Sequence, residues 1–109
     1  MAESSYMVVL ITTGSLEEAR RIADVLVQQR KAACVNIVPQ VSSMYRWEGS
    51  IQEDEESLMI VKTRAEFLPE VVDSVRATHS YEVPEIIALP VAGGNQDYLD
   101  WLGRETGQP

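Results

Sequence analysis

Over 109 residues the chain carries 17 acidic and 9 basic side chains, a formal charge of −8; this is one domain's length, and its sign, with two lysines (Lys31 and Lys62) far apart, excludes a nucleic-acid backbone as partner. An apolar fraction of 45% with 24% charged residues excludes a disordered or fibrous body. One cysteine, Cys34, excludes an intrachain disulfide, no run approaches the ~20 apolar residues of a membrane span, and Met-Ala-Glu-Ser-Ser lacks the features of a secretory leader, so the cytoplasm is the expected compartment.

Tyr6 to Thr12 (YMVVLIT) is a nearly unbroken apolar, β-branched run and reads as a core strand. Ser15 stands three residues before Glu18, the spacing of a capping box. Leu16, Ala19, Ile22, Ala23, Leu26 and Val27 follow at helical intervals, so a helix opens at Ser15. Such a helix start can cradle phosphate through its free amides, but Glu17 and Glu18 already complement the dipole and would repel an anion.

Ala33 to Val38 is a second apolar run, interrupted by Pro39, which marks a bend or bulge; from Val41 to Glu48 the residues alternate with the period of a strand. Gly49 and the acids that follow it predict a turn over Glu48 to Glu56, leading into Leu58–Thr63 as the second arm of a long hairpin. Glu53, Asp54, Glu55 and Glu56 lack the spaced oxygens and central glycine of a calcium loop, so they read as part of that charged turn.

The apolar stripe Leu68, Val71, Val72 and Val75 predicts a second helix starting near Ala65 to Phe67, with Pro69 in its first turn. Glu85 to Val91 is the last strand, and Pro90 suggests an edge or terminal position for it. Asn95 is suited to cap a short final helix carrying Tyr98, Leu99, Trp101 and Leu102. Residues 1–5 are expected to be a flexible N-terminus, 6–103 the domain and 104–109 a fraying tail.

This order predicts an α+β fold: a ferredoxin-like split β-α-β sandwich of antiparallel sheet with helices on one face, a long β-hairpin and a short C-terminal helix. One cysteine cannot supply an iron-sulfur cluster. Tyr45 and Trp47 lie two apart, so both project from one face of the hairpin. A domain this small cannot readily cover them, which points to burial against a neighbouring subunit. Cys34, set among Ala32, Ala33 and Val35, suits a small buried hydrophobe, and His79, closing the second helix, suits a structural cap. Together with Glu82 and Glu85 they nevertheless offer soft, borderline and hard donors of the kind copper or zinc takes.

Five segments in register, Ala32–Ile37, Ser43–Gly49, Val61–Arg64, His79–Ile86 and Gly94-Asn95 with Tyr98, Leu99 and Trp101, make the chain resemble the CutA family of divalent-cation tolerance proteins over residues 6 to 103. The resemblance implies a tight homotrimer whose hairpins pack against neighbours, with Tyr45, Trp47 and Trp101 at the interface. It also implies a non-enzymatic role in divalent-metal response, with Cys34, His79, Pro84 and Glu85 matching the family's positions near a cleft between subunits; with Glu82 from the donor set above, Cu²⁺ or another divalent cation is expected to be bound weakly there. Ser80 stands where members usually carry proline, so a less rigid loop around His79 is expected; Ile11 stands where some carry a second cysteine, so any soft-metal site has one thiolate fewer.

Two other function classes fit the same size. The PII nitrogen-signalling proteins use similar subunits to bind small molecules between subunits, although likeness of fold is a poor guide to function. An acylphosphatase-like enzyme would need cations where Glu17 and Glu18 stand, and no nucleophile accompanies His79. A purely structural scaffold, with the trimer presenting the final helix to another protein, fits as well; the partners expected are further copies of the chain and an unidentified protein, with no membrane and no nucleic acid.

Overall fold

The computed structural model describes residues 5–108. Its elements run β1 (Tyr6–Thr13), α1 (Leu16–Gln28), β2 (Cys34–Trp47), β3 (Ser50–Arg64), a 3₁₀ turn (Ala65–Phe67), α2 (Leu68–Thr78), β4 (Ile86–Pro90) and α3 (Gln96–Arg104). The four strands form one antiparallel sheet in the order β2-β3-β1-β4, which is the expected split β-α-β arrangement. Ser15 accepts the Glu18 amide at 3.1 Å and opens α1, while Pro69 sits in the first turn of α2, where no donor is lost.

Alternation along the strands divides the sheet into two faces. Val9 and Ile11 of β1 and Met59 and Val61 of β3 point one way, into Ala19, Ile22 and Leu26 of α1 and Val71 and Val75 of α2, and all nine are essentially inaccessible. Burying each larger side chain contributes about 1.5–3 kcal/mol, so this layer carries most of the fold's stability. The residues between them, Val8, Leu10, Leu58 and Ile60 with Val38, Ile87 and Leu89, point the other way. No helix of the α1–α2 layer covers that second face, and Ile87 and Leu89 remain 52% and 48% exposed.

The sequence places the turn of the hairpin too late. The chain reverses at Glu48 and Gly49, both at positive φ (49° and 82°), the two-residue turn whose twist matches the flanking strands. The acids 53–56 therefore belong to β3 itself, opposite Met44, Ser43, Ser42 and Val41. Charge on an exposed strand resembles charge in a turn when only composition is read.

Pro39 does mark a bulge. Val38 pairs with Leu58 and Val41 with Glu56, so two residues of β2 oppose Ser57 alone, whose hydroxyl donates to the Pro39 carbonyl at 2.7 Å. The extra residue reverses the alternation of β2. Before it, the even positions Cys34, Asn36 and Val38 share the second face; after it, Val41, Ser43, Tyr45 and Trp47 do.

Of the tail expected to fray, Thr106 and Gly107 are docked, and Pro109 lies outside the described residues. Thr106 is 1% exposed, Arg64 donates to its hydroxyl at 2.9 Å, and the Gly107 amide donates to the Arg30 carbonyl at 2.8 Å. These long-range partners were invisible in a polar, glycine-containing ending. Of the expected flexible N-terminus, residues 1–4 lie outside the described residues, and the Ser5 carbonyl accepts the Ala65 amide at 2.8 Å.

Candidate functional site

Where the hairpin leaves the body of the sheet, a cleft of about 700 Å³ opens on the second face. It is lined by three aromatic residues (Tyr45, Trp47, Tyr81), three acidic ones (Glu56, Glu82, Glu85), Thr12, Ser43 and Val83, and by β2 at Ser42 and Met44, whose side chains alternate to the other face. Among the described residues, no basic side chain lines it.

Each wall has a local cause. The Pro39 bulge turns Tyr45 and Trp47 onto the same face as Glu56. Tyr45 donates a hydrogen bond to Asp54 Oδ2, and this bond, with lesser effects of burial and nearby charge, raises its pKa above the ordinary tyrosine value. The opposite wall is the loop after α2, which three bonds hold in place. Ser80 N–H donates to Glu18 Oε2 at 3.0 Å, Tyr81 N–H donates to His79 Nδ1 at 3.0 Å, and the Tyr81 hydroxyl donates to Glu56 Oε2 at 2.8 Å. Burial first, and the Glu56 bond second, push the Tyr81 pKa well above its usual value.

His79 is the pivot of this loop. Its Nε2 lies 2.7 Å from the Thr12 carbonyl, an acceptor, so Nε2 carries the proton; its Nδ1 receives the Tyr81 amide, so Nδ1 presents a lone pair. The imidazole is thus the neutral Nε2–H tautomer with both nitrogens engaged and a fully buried side chain. Glu18 Oε1 stands 3.9 Å from Nδ1, and no hydrogen-bond partner reaches that oxygen. Glu18 does not close the expected capping box: its carboxylate turns to Ser80 instead of back to Ser15.

The proposed metal donors are not brought together within one chain. Glu82 and Glu85 line the cleft, His79 lies behind its wall with no free lone pair, and Cys34 is in the row of Lys62, Val8 and Leu89. That row is four positions along β1 from Thr12, about 13 Å at the rise of a strand. Among the described residues no three histidine, cysteine or acidic side chains are grouped to hold a metal ion, so a four-donor centre does not fit this chain alone. Tyr45 and Trp47 are 41% and 48% exposed, whereas Trp101 stacks on Tyr98 at 5.4 Å on α3.

Sequence reasoning missed Tyr81, Glu56, Glu18 and Thr12. Glu56 was hidden inside a run of like charges; its distinction comes only from pairing with Val41 just past the bulge. Tyr81 carried no signal beyond its place between His79 and Glu82.

The profile described as "CutA1 divalent ion tolerance protein" matches residues 7–105. The chain is 56% identical over 100 residues to the divalent-cation tolerance protein CutA of Thermus thermophilus, covering 92% of this chain and 97% of that one. It is 47% identical over 100 residues to the chloroplastic protein CutA of Arabidopsis thaliana, of which it spans 55% against 92% of its own length. The crystal structure of CutA1 from Oryza sativa superposes with a TM-score of 0.93 at 44% identity, over 98% of both chains. No helix among the described residues is long and apolar enough to cross a membrane. The chain belongs to the CutA1 family of divalent ion tolerance proteins.

Proposed function

We propose that this protein is a non-enzymatic homotrimer of the cytoplasm that responds to cations, with the acidic cleft as its ligand site. The observation that carries this reading is the composition of the cleft: Glu56, Glu82 and Glu85 line it without a basic side chain among the described residues. Glu56 is only 9% exposed and accepts the neutral Tyr81 hydroxyl, so the fold holds a desolvated carboxylate with no cation of its own. A non-catalytic role is supported by His79, whose two nitrogens are committed to the backbone and unavailable for acid–base work.

The trimer is supported by the apolar second face, since a sheet exposing Val38, Ile87 and Leu89 beside the aromatic hairpin is suited to burial against further copies. Copper or another divalent ion would then meet Glu82 and Glu85 first, and carboxylates alone hold such ions weakly and without preference for copper. Calorimetric titration of the metal-free protein with Cu²⁺ and Zn²⁺ tests this. Heats that vanish in Glu82→Gln/Glu85→Gln support the cleft; heats that vanish only in Cys34→Ala or His79→Ala restore the soft-donor site; heats equal in all variants remove both.

A second reading, a small-molecule module of the PII kind, is favoured by the size of the cleft. Its volume of about 700 Å³ is that of a pocket for an organic ligand and far exceeds the space one metal ion needs.

A further inference from the structure

We infer that residues 104–107 form a strap that keeps α3 seated on the sheet, fastened by Arg30 and Arg64, and that α3 leaves the sheet as a unit when the strap is undone. Every contact of the strap is made within one protomer, where Thr106 is already 1% exposed, so the device is the same in any assembly.

Little else holds α3. It is nine residues long, short of the length at which a helix persists unaided, and Leu102 is the one residue of the nine that is buried. Asn95 caps its start, Lys62 lies over the Tyr98 ring at 5.8 Å, and Gly103 passes so near the Tyr6 hydroxyl that a Cβ would stand 3.3 Å from it. The rest of the attachment follows the helix. The Thr106 hydroxyl donates to the Leu102 carbonyl at 3.0 Å and accepts from Arg64 Nε at 2.9 Å, while Arg64 Nη2 donates to the Thr106 carbonyl at 3.1 Å. Arg30 Nη2 donates to the Arg104 carbonyl at 2.7 Å, Arg30 Nε donates to the Gly107 carbonyl, and the Arg30 carbonyl accepts the Gly107 amide at 2.8 Å. The strap thus ties the ends of α1, β3 and α3 together.

Two backbone positions are shaped for this closure. Arg30 follows the C-cap Gln29 at φ 59°, the left-handed position that glycine usually takes after a helix. An arginine there accepts an unfavourable conformation and supplies the guanidinium that closes on residues 104 and 107. Gly107 sits at φ 80°, and a Cβ on it would lie 2.8 Å from both Arg64 Nη2 and Phe67 Cζ, so its seat admits glycine alone. Arg64 is set for its part by Glu66 Oε1 at 2.8 Å and by the Phe67 ring, 4.9 Å from its guanidinium. Because α3 carries Tyr98 and Trp101, closure of the strap fixes where both rings stand.

Hydrogen–deuterium exchange with mass spectrometry on the full-length protein, Arg30→Gly and Gly107→Ala tests the strap. Arg30→Gly relieves the backbone while removing the guanidinium, so exchange would stay unchanged or slow if Arg30 were only a turn residue. The strap predicts exchange over residues 96–104 faster by about tenfold or more in both variants, with β1 and Met59–Val61 of β3 unchanged. If Gly107→Ala does not fold, a chain ending at Glu105 takes its place. Wild-type rates over α3 in the variants overturn the inference. So does an acceleration spread evenly along the chain, which would make α3 and the strap part of the global unfolding unit.

Discussion

The Tyr81 hydroxyl donates to Glu56 Oε2 at 2.8 Å, tying the loop after α2 to the first residue of β3 beyond the bulge. Twenty-five residues apart in sequence, the two form one corner of the cleft, and the chemistry of this corner can be read by pH.

Burial and the Glu56 bond raise the Tyr81 pKa, and the Asp54 bond raises that of Tyr45, so folding favours the neutral phenol at both positions. For a group raised in the folded state, the stabilisation is complete below the unfolded value near 10 and is lost as pH climbs through the folded value. The native protein should therefore lose stability above about pH 10. Phenolate absorbance in an alkaline titration should show two late tyrosines in the wild type and one in Tyr81→Phe. That variant should lose about 1 kcal/mol in urea unfolding at neutral pH, a modest figure because the residue is partly exposed.

His79→Ala removes a buried imidazole and leaves the part-buried Thr12 carbonyl without its partner, while the exposed Tyr81 amide can turn to water. A loss of about 1–3 kcal/mol is expected from the one unsatisfied backbone group. Denaturant unfolding measures the loss, and calorimetry should show the cation response weakened only as far as the loop is displaced. Unchanged stability with abolished Cu²⁺ binding would reverse the assignment of His79 as a structural pivot.

Glu18 is a carboxylate 6% exposed whose Oε2 holds the Ser80 amide while Oε1 has no hydrogen-bond partner. Glu18→Gln keeps an oxygen for Ser80 and removes a buried charge, so stability should stay within about 1 kcal/mol or rise. Glu18→Ala strands the Ser80 amide and should cost about 1–3 kcal/mol. Equal losses in the two variants would show that the charge itself, not the hydrogen bond, holds the loop.

Ile87 and Leu89 stand on the second face, half exposed, and contribute nothing to the layer beneath α1 and α2. Ile87→Glu/Leu89→Arg should keep the protomer's circular dichroism and lower its mass in light scattering from three chains to one. A wild-type protein that scatters as a monomer at micromolar concentration would end the trimer proposal.

The strands and helices were legible because each has a strong local cause. The apolar run 6–12, the Ser15 cap and the stripe Leu68, Val71 and Val75 specify β1, α1 and α2 without reference to anything distant. Even the bulge was visible, since a proline inside a strand pattern marks an edge or a bulge, and Pro39 sits at both. The site was not legible in the same way. Cys34 and His79 were chosen for what their atoms can ligate, yet whether a lone pair is free depends on which backbone group lies opposite. For His79 that group is Thr12, 67 residues away in sequence.

The amino-acid order alone determined which segments are strands and helices and which sides of them are apolar, because period and capping act over a few residues. Only the tertiary structure decided that the bulge turns Tyr45 and Trp47 toward Glu56, that Thr106 and Gly107 are docked by Arg64 and Arg30, and that His79 supports a wall of the cleft from behind. Each of these depends on a partner supplied by another element. A hydrogen bond or a shared face exists only once distant parts of the chain have come together.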